Sequence, residues 1–338
     1  MIYGRQPVTF TVIQLGNLNR AQAENSIGLG NQTQRAFRFE FSPDRLPLDS
    51  KKYKLPNGGY DLDGAIKDLI QRHKLPRPLI LMTSVPYGSR EEGKKADWFY
   101  FSDTGLSLDP TIDVISTYIW EEALGHRQLQ PYVLCHLASS ALVHSANLEV
   151  HNEKRGCLFD YWDEFEDIES VLKAEGLCNS CERDLNVKLR SGEITIEQVA
   201  AAKKLFNRAC GRKVCFMIMP FTSALKPVYQ VVSQTLREEG WTVLRADEIV
   251  RPRRITDAIL QATLMSDLIV ADLTGSNPNV FYELGLAHAT GCDVIMLTQE
   301  RKIPFDVTTE STIFYKPHNK GLHQLELQLR RLAGTALT

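Results

Sequence analysis

Residues 265–288 constrain the fold of this chain more than any other segment. Residues 268–271 form a short apolar run that ends in Asp272, a pattern typical of a strand covered on both faces. A helix start follows, because Asn277 can accept a backbone N–H as N-cap and Pro278 suits the first helical position. The segment therefore predicts a strand, a loop and a helix of an open α/β sheet, where ligands bind at the carboxyl ends of the strands.

The rest of the C-terminal part repeats this alternation of strand and helix. The strand candidates are residues 214–219, 241–245, 265–271 and 294–297. Their order predicts a flavodoxin-like, doubly wound, mostly parallel sheet over residues 213–338. A length of 338 residues accommodates a second domain. Residues 1–187 mix strand-like segments, one of them at 98–102, with helices and are expected to form an α+β domain, whereas 188–212 are expected to be a charged helix that joins the two domains.

Composition excludes several classes of protein. A formal net charge of −2 gives no field that would attract nucleic acid, so no nucleic acid partner is expected. No apolar run approaches the length of about 20 residues that a membrane helix needs, and the first residues lack a signal peptide pattern. An odd number of cysteines, seven, suits a reducing compartment better than a set of disulfides. A cytoplasmic protein without a membrane partner is expected.

The helix predicted after Asn277 carries one acid, Glu283. Apolar residues at helical spacing, Val280, Leu284 and Ala287 among them, face the sheet. An isolated carboxylate beside packed apolar side chains is a candidate nucleophile. The alternative is that Glu283 is a solvated helix acid and that Asp272 only ends a strand.

These residues resemble the nucleoside 2-deoxyribosyltransferase family and its TIR-like relatives. The resemblance rests on Met-Ile-Met-Pro-Phe at 217–221, on Asp272 and on the Asn277-x5-Glu283-Leu-Gly-x-Ala helix. It implies that Glu283 attacks the anomeric carbon of a nucleoside and that Asp272 holds the sugar hydroxyls or the base. It also implies that the turn of Pro220 and Phe221 forms the wall of the base pocket. Asn277 and Asn279 are expected to position the sugar, and Asp247 is expected to contact the substrate.

Two features of the sequence depart from the transferase pattern. An aspartate usually stands six residues before the nucleophile, where this chain has Asn277, and Asn279-Val280 replace the usual Gly-Thr pair. An amide can donate a hydrogen bond to a ribose hydroxyl but cannot act as a base. The charged residues after the second predicted strand either contact a diphosphate or form a solvated loop; they are Arg245, Asp247, Arg251, Arg253 and Arg254.

The resemblance implies cleavage of an N-glycosidic bond in a nucleotide or NAD. A carboxylate beside the anomeric carbon stabilises the positive charge that develops there and can trap the sugar covalently. The nicotinamide of NAD already carries charge, so its departure needs no strong general acid. TIR-like relatives often act in antiviral defence, so the resemblance also implies such a role for this chain. The alternative is a sensor that binds a nucleotide without cleaving it.

The N-terminal part contains a candidate metal site. His151-x5-Cys157-x20-Cys178-x2-Cys181 offers four ligands that a tetrahedral structural zinc can use, and the Cys-x2-Cys pair is its strongest element. The alternative is a set of free thiols. His136 and His144 are weaker ligand candidates, for which a structural role is favoured.

The surroundings of this site resemble an archaemetzincin, a zinc peptidase family, in degenerate form. The resemblance rests on Val-Ile-Ser-Thr at 114–117, on Gly156-Cys157-Leu158 and on the Cys178/Cys181 pair. The His-Glu-x2-His signature of the family is absent; its histidines would fall at Ala141 and Ser145 and its glutamate at Leu142. Peptidase activity, which needs three ligands and a base, is the third hypothesis. The N-terminal domain is instead expected to bind a regulatory partner or a second copy of the chain.

Overall fold

The computed structural model describes residues 6–56, 58–88, 102–106, 108–118, 129–162, 165–174, 176–247, 255–300 and 311–335. The chain forms two compact units, Met1–Gly211 (unit 1) and Arg212–Thr338 (unit 2). Most of the strand predicted at 98–102 and the predicted diphosphate contacts Arg251, Arg253 and Arg254 lie outside the described residues. Within the described ranges, no helix is both long and apolar enough to cross a bilayer.

Unit 1 is built on a mixed five-stranded sheet. Its strands are β1 (Val8–Leu15), β2 (Phe37–Leu46), β4 (Leu79–Thr83), β6 (Ser102–Asp103) and β7 (Ile112–Ser116). Their order is β2-β1-β4-β7-β6; the first four are parallel and β6 is antiparallel. The short strands β3 (Tyr60–Asp61) and β5 (Tyr87–Gly88) pair separately.

The helices of unit 1 cover both faces of this sheet. They are α1 (Arg20–Thr33), α2 (Ser50–Tyr53), α3 (Leu62–Arg72), α4 (Leu129–Ala146), α5 (Phe165–Lys173), α6 (Asn179–Ser191) and α7 (Ile196–Ala209). The core on one face contains α1, α4 and α7, and the core on the other contains α3. Helix α1 approaches α4 closely at Gly30, where a Cβ atom would lie 2.8 Å from Leu137 Cδ1.

Helix α7 corrects the expectation that residues 188–212 join the two domains without belonging to either core. This range contains the end of α6 and all of α7. Val199, Leu205 and Phe206 are buried in the same core as α4. An amphipathic helix lowers the free energy of folding by burying its apolar stripe, and α4 offers the apolar surface for it.

Unit 2 is built on a five-stranded, wholly parallel sheet. Its strands are β8 (Lys213–Ile218), β9 (Trp241–Arg245), β10 (Leu268–Asp272), β11 (Asp293–Thr298) and β12 (Ser311–Phe314), in the order β12-β11-β10-β8-β9. Counted from β8, this order is the flavodoxin-like arrangement, so the predicted fold class is confirmed. The strand predicted at 265–271 begins later, at Leu268, because Met265 ends the preceding helix.

In the described ranges of unit 2, helices cover both faces of the sheet. They are α8 (Lys226–Glu238), α9 (Ile255–Met265), α10 (Pro278–Thr290) and α11 (Asn319–Thr335), and a 3-10 turn at Ser223–Leu225 precedes α8. Helices α8 and α11 pack on one face of the sheet, and α9 and α10 pack on the other. The strand order reverses between β8 and β10. Ligands of such sheets bind at the carboxyl ends of these two strands.

Candidate functional site

The four predicted metal ligands converge in unit 1. His151 lies on a bridge that pairs it with Asp160, whereas Cys178 and Cys181 lie at the start of α6. The ligand atoms of His151, Cys157, Cys178 and Cys181, the zinc cluster, all lie within 4.8 Å of one another. Cys157 and Cys181 are also buried in the core around α4.

The spacing of these atoms fits a tetrahedral zinc ion. Zinc bonds of about 2.3 Å to sulfur and about 2.0 Å to nitrogen place two sulfurs about 3.8 Å apart and a sulfur and a nitrogen about 3.6 Å apart. Cys157 Sγ and Cys181 Sγ are 3.8 Å apart, and Cys178 Sγ and Cys181 Sγ are 3.5 Å apart. Cys178 Sγ is 3.6 Å from His151 Nε2. The hydrogen-bonding contact with Cys181 Sγ lowers the pKa of the Cys157 thiol, and thiolate is the form that binds metal.

Asp160 holds the zinc cluster in place. Its carboxylate is buried, and its Oδ2 accepts hydrogen bonds from Arg155 N at 2.8 Å and Cys157 N at 3.0 Å. Its Oδ1 lies 3.3 Å from His151 Nδ1, and the carbonyl oxygen of Glu153 lies 3.0 Å from the same nitrogen. These acceptors orient the imidazole so that Nε2 faces the cysteines, as in most zinc sites with a histidine ligand. The residues present fit a structural zinc.

The positions of the missing peptidase signature offer no second metal site. Ala141 and Leu142 lie fully buried in α4 and carry no ligand atom. His136 is buried against the rings of Tyr132 and Trp162, and burial lowers its pKa to about 3.

The other weak ligand candidate, His144, is bound to a carboxylate of the core. Its Nε2 lies 2.9 Å from Asp113 Oδ2. Asp113 is itself fully buried. Both histidines therefore lie within the packed interior, as the alternative interpretation predicted, and neither belongs to the zinc cluster.

Glu283 lies in the second turn of α10, the helix that follows the carboxyl end of β10. The helix starts as predicted, with Asn277 Oδ1 accepting from Asn279 N at 2.9 Å and Pro278 in the first turn. Leu284 and Val280 are buried against the sheet and set the rotation of the helix. The Glu283 side chain is half-buried, and within the described ranges its carboxylate makes no hydrogen bond or ion pair. Burial raises its pKa.

Asp272 is more constrained than the sequence suggests. Its side chain is fully buried at the end of β10. Oδ1 accepts from Thr274 N at 2.9 Å and Oδ2 accepts from Tyr315 OH at 2.7 Å. Burial raises its pKa against the opposing effect of these two hydrogen bonds. Both carboxylate oxygens are thus engaged by the protein, and the predicted contact with a sugar stays a prediction.

Phe221 and Asp247 are joined through Arg245. Phe221 follows β8 and is 61% exposed, and the Arg245 guanidinium carbon lies 5.3 Å from the centre of its ring. The ring of Tyr229 lies on Arg245 at 3.9 Å. Asp247 accepts two hydrogen bonds of 2.6 Å from the same guanidinium. The group of Phe221, Arg245 and Asp247, which we call the base wall, offers an exposed aromatic face at the carboxyl ends of β8 and β9. Its contact with a base stays a prediction.

The remaining predicted residues lie at the same edge of the sheet. Pro220 is buried directly after β8, and Asn279 is exposed in the first turn of α10. Asn277 uses its amide oxygen to cap the helix. No hydrogen bond joins Glu283 to any of the predicted substrate-binding residues in the part of the chain that the structure describes.

Sequence reasoning missed the partners of Asp272. Tyr315, Thr274 and Gln299 form a hydrogen-bonded group around its carboxylate. Tyr315 and Gln299 follow β12 and β11 at the same sheet edge as Asp272. The available signal was the position of polar residues after neighbouring parallel strands, but β12 has only four residues and no clear alternating pattern.

Comparison with known proteins found distant likenesses to solved structures. No protein family model matches the sequence, and no curated protein matches it. Similar solved structures include an archaemetzincin from Methanopyrus kandleri, 12% identical over 55% of this chain and 99% of that chain (TM-score 0.38). An archaemetzincin from Archaeoglobus fulgidus is 15% identical over 52% and 99% (TM-score 0.37). A CMP N-glycosidase from Clostridium botulinum is 24% identical over 34% and 99% (TM-score 0.29).

Proposed function

We propose that unit 2 cleaves the N-glycosidic bond of a nucleotide or NAD, with Glu283 as the nucleophile. The observation that carries the proposal is the half-buried Glu283 carboxylate, which has no partner among the described residues and a raised pKa. A surface glutamate has no such cost of burial. Catalytic groups are often held in this way, because exclusion of water strengthens the electrostatic interaction between a charged group and the substrate.

The proposed reaction proceeds in two balanced steps. A Glu283 oxygen forms a bond to the anomeric carbon while the bond to the base nitrogen breaks, and the base leaves with the electron pair. Water then attacks the same carbon, loses a proton and releases the carboxylate. With NAD the leaving nicotinamide is neutral, whereas other bases need a proton on departure.

The base wall supports a nucleotide as the substrate. Phe221 presents an exposed ring on which a base can stack, and such stacking contributes about 1–3 kcal/mol per base in proteins that bind single-stranded nucleic acids. The Arg245 guanidinium lies over the Phe221 ring, and Asp247 fixes the guanidinium. Asn277 and Asn279 lie at the start of the helix that carries Glu283, where their amides can donate to sugar hydroxyls. The zinc cluster takes no part in this reaction and stabilises unit 1.

The decisive experiment measures release of free base. The full chain is incubated with NAD, ATP, CMP and deoxynucleosides, and the products are separated by chromatography. Wild type releases base from at least one of them, and Glu283→Gln, which keeps the shape but loses the nucleophile, does not. Glu239→Gln changes an exposed glutamate of the same unit, directly after α8 and paired with Arg330, and is the control. Base release that persists in Glu283→Gln would overturn the proposal.

The second candidate is a sensor that binds a nucleotide without cleaving it. It is favoured by the engagement of both Asp272 oxygens and by the amide at position 277, since neither group is a free base. Saturable binding of one of these nucleotides without product would support it. The predicted role in antiviral defence remains a proposal, and its test is phage infection of cells that carry wild type or Glu283→Gln. The predicted binding of a regulatory partner or a second copy also remains a proposal.

A further inference from the structure

Tyr315 joins the ends of three neighbouring strands in unit 2. It follows β12, and its side chain is buried. Its hydroxyl donates to Asp272 Oδ2 at 2.7 Å and accepts from Gln299 Nε2 at 2.9 Å. It also lies 3.3 Å from Thr274 Oγ1. We call Tyr315, Asp272, Thr274 and Gln299 the tyrosine hub.

The tyrosine hub holds the loop between β10 and α10. Thr274 N donates to Asp272 Oδ1 at 2.9 Å, and Gln299 N donates to Thr274 Oγ1 at 3.1 Å. Thr274 is thus held from the β11 and β12 side, where Leu273 N also donates to the Leu297 carbonyl oxygen and Gly275 N donates to Glu300 Oε1, both at 2.8 Å.

The conformation of this loop needs such support. Ser276 has a φ of 49°, in the left-handed region that L-residues other than asparagine and aspartate rarely adopt. Such conformations are energetically unfavourable and persist where the surroundings enforce them. The next residue, Asn277, caps α10, and Glu283 lies on the second turn of that helix. The position of the Glu283 carboxylate therefore depends on the path of this loop.

We propose that Tyr315 is a positioning residue for Glu283, acting through Asp272 and Thr274 without touching the substrate. This inference rests on the proposed function of Glu283. It assigns Asp272 the same role, because its carboxylate is fully buried and both of its oxygens accept hydrogen bonds from the hub and its loop. A displaced nucleophile reacts slowly even when the substrate binds normally, since misplacement by about 1 Å costs up to about 100-fold in rate.

The first test removes one hydroxyl group. Tyr315→Phe is expected to lower kcat for base release about tenfold or more and to leave KM within about twofold. Tyr60→Phe, in unit 1, removes a hydroxyl from another partly buried tyrosine and is the control. A rise in KM with kcat unchanged would overturn the proposal, because it would place Tyr315 in substrate binding.

The second test separates positioning from catalysis at Asp272. Asp272→Asn keeps an oxygen for Thr274 N, and its new N–H group can donate to Tyr315 OH, whereas Asp272→Ala keeps neither contact. The asparagine variant should retain clearly more activity than the alanine variant, and its pH profile should keep the acid limb that Glu283 produces. Equal loss of activity in both variants would show that the carboxylate itself takes part in the reaction.

A third measurement does not depend on enzymatic activity. Hydrogen exchange in Tyr315→Phe should be faster at residues 273–277 and in the first turn of α10, and unchanged in α8 on the other face of the sheet. If wild type releases no base, the proposed function fails while this measurement still decides whether Tyr315 holds the loop. Unchanged exchange at 273–277 would overturn the positioning role.

Discussion

The zinc cluster of unit 1 and the Glu283 site of unit 2 differ in how complete they are without a ligand. In the zinc cluster four side chains face one point, and Asp160 and the Glu153 carbonyl oxygen orient the histidine. At the Glu283 site the carboxylate has no partner among the described residues, and the nearby acids Asp272 and Asp247 are engaged by other protein groups.

This difference follows from what each site has to do. A structural metal contributes to folding, so its ligands must converge in the folded chain, and their geometry alone identifies the site. A nucleophile must keep its charge available for a substrate, and it is recognised by the cost of leaving it half-buried. The following predictions test this contrast.

Loss of zinc should lower stability more than any of the other changes, and this loss of stability should be confined to unit 1. Structural zinc contributes binding energy on the order of 10 kcal/mol in small domains. Cys181→Ser or chelation should therefore remove one metal ion per chain and speed hydrogen exchange in α6 and α4 while unit 2 stays protected. Elemental analysis and exchange measured by mass spectrometry check this.

A cysteine outside the zinc cluster supplies the control for that prediction. Cys292→Ser, in unit 2, should keep the metal, because among the described residues Cys292 Sγ makes hydrogen bonds only to backbone carbonyls and its side chain packs against the core of that unit. Wild-type protein purified without any zinc would contradict the structural role of the cluster.

When the pH is lowered, the activity of unit 2 should begin to decline at a higher pH than titration of an ordinary glutamate would cause. Burial raises the pKa of Glu283, and only the ionised form attacks, so activity is lost as pH falls through this raised pKa, about tenfold per pH unit below it. The same shift means that the charged form is disfavoured in the folded state, so Glu283→Gln should make unit 2 slightly more stable at neutral pH.

Two measurements check the pH prediction. The first is a profile of kcat/KM, and the second is thermal unfolding of Glu283→Gln at neutral pH. An acid limb at the ordinary glutamate pKa, together with a less stable variant, would argue for a solvated helix acid.

Asp160→Asn should weaken zinc binding without abolishing it. The new amide nitrogen can face His151 Nδ1, so two donors oppose each other and the orientation of the imidazole is lost. Changes of this kind cost about 10–100-fold in metal affinity. Competition with a fluorescent chelator measures the affinity, and Glu169→Gln, whose carboxylate pairs with Lys173 on the surface, is the control. Unchanged zinc affinity in Asp160→Asn would show that the Asp160 carboxylate does not support zinc binding.

The smallest effect is expected at the start of α10. Asn277→Ala removes the cap and should lower the free energy of unfolding of unit 2 by about 1 kcal/mol. Asn279→Ala changes an exposed side chain two residues later, in the first turn of α10, and should have little effect on stability. Denaturant unfolding distinguishes the two. Equal stability of both variants would show that the Asn277 side chain does not contribute to the free energy of unfolding.

Features with local causes could be predicted from the sequence. Asn277 and Pro278 marked the start of α10, because capping needs only a side-chain oxygen and a fixed φ within one turn. The four zinc ligands were predicted from ligand chemistry and the Cys-x2-Cys spacing. The parallel order of the sheet in unit 2 followed from the alternation of strands and helices.

Features that depend on distant partners could not be predicted. Helix α7 was expected to be a linker, since its apolar stripe does not reveal that α4 will cover it. Asp272 was recognised as a strand-end acid, but its engagement by Tyr315 joins residues 43 positions apart.

The sequence by itself predicted two domains, the start of the helix that carries Glu283 and the ligands of a zinc site, because these follow from local patterns and from the chemistry of the residue types. Only the tertiary structure decided which carboxylates are engaged and which is left without a partner. Burial and hydrogen bonding are properties of the packed chain, and they separate Asp272, which the tyrosine hub holds, from Glu283, whose desolvation no described side chain offsets.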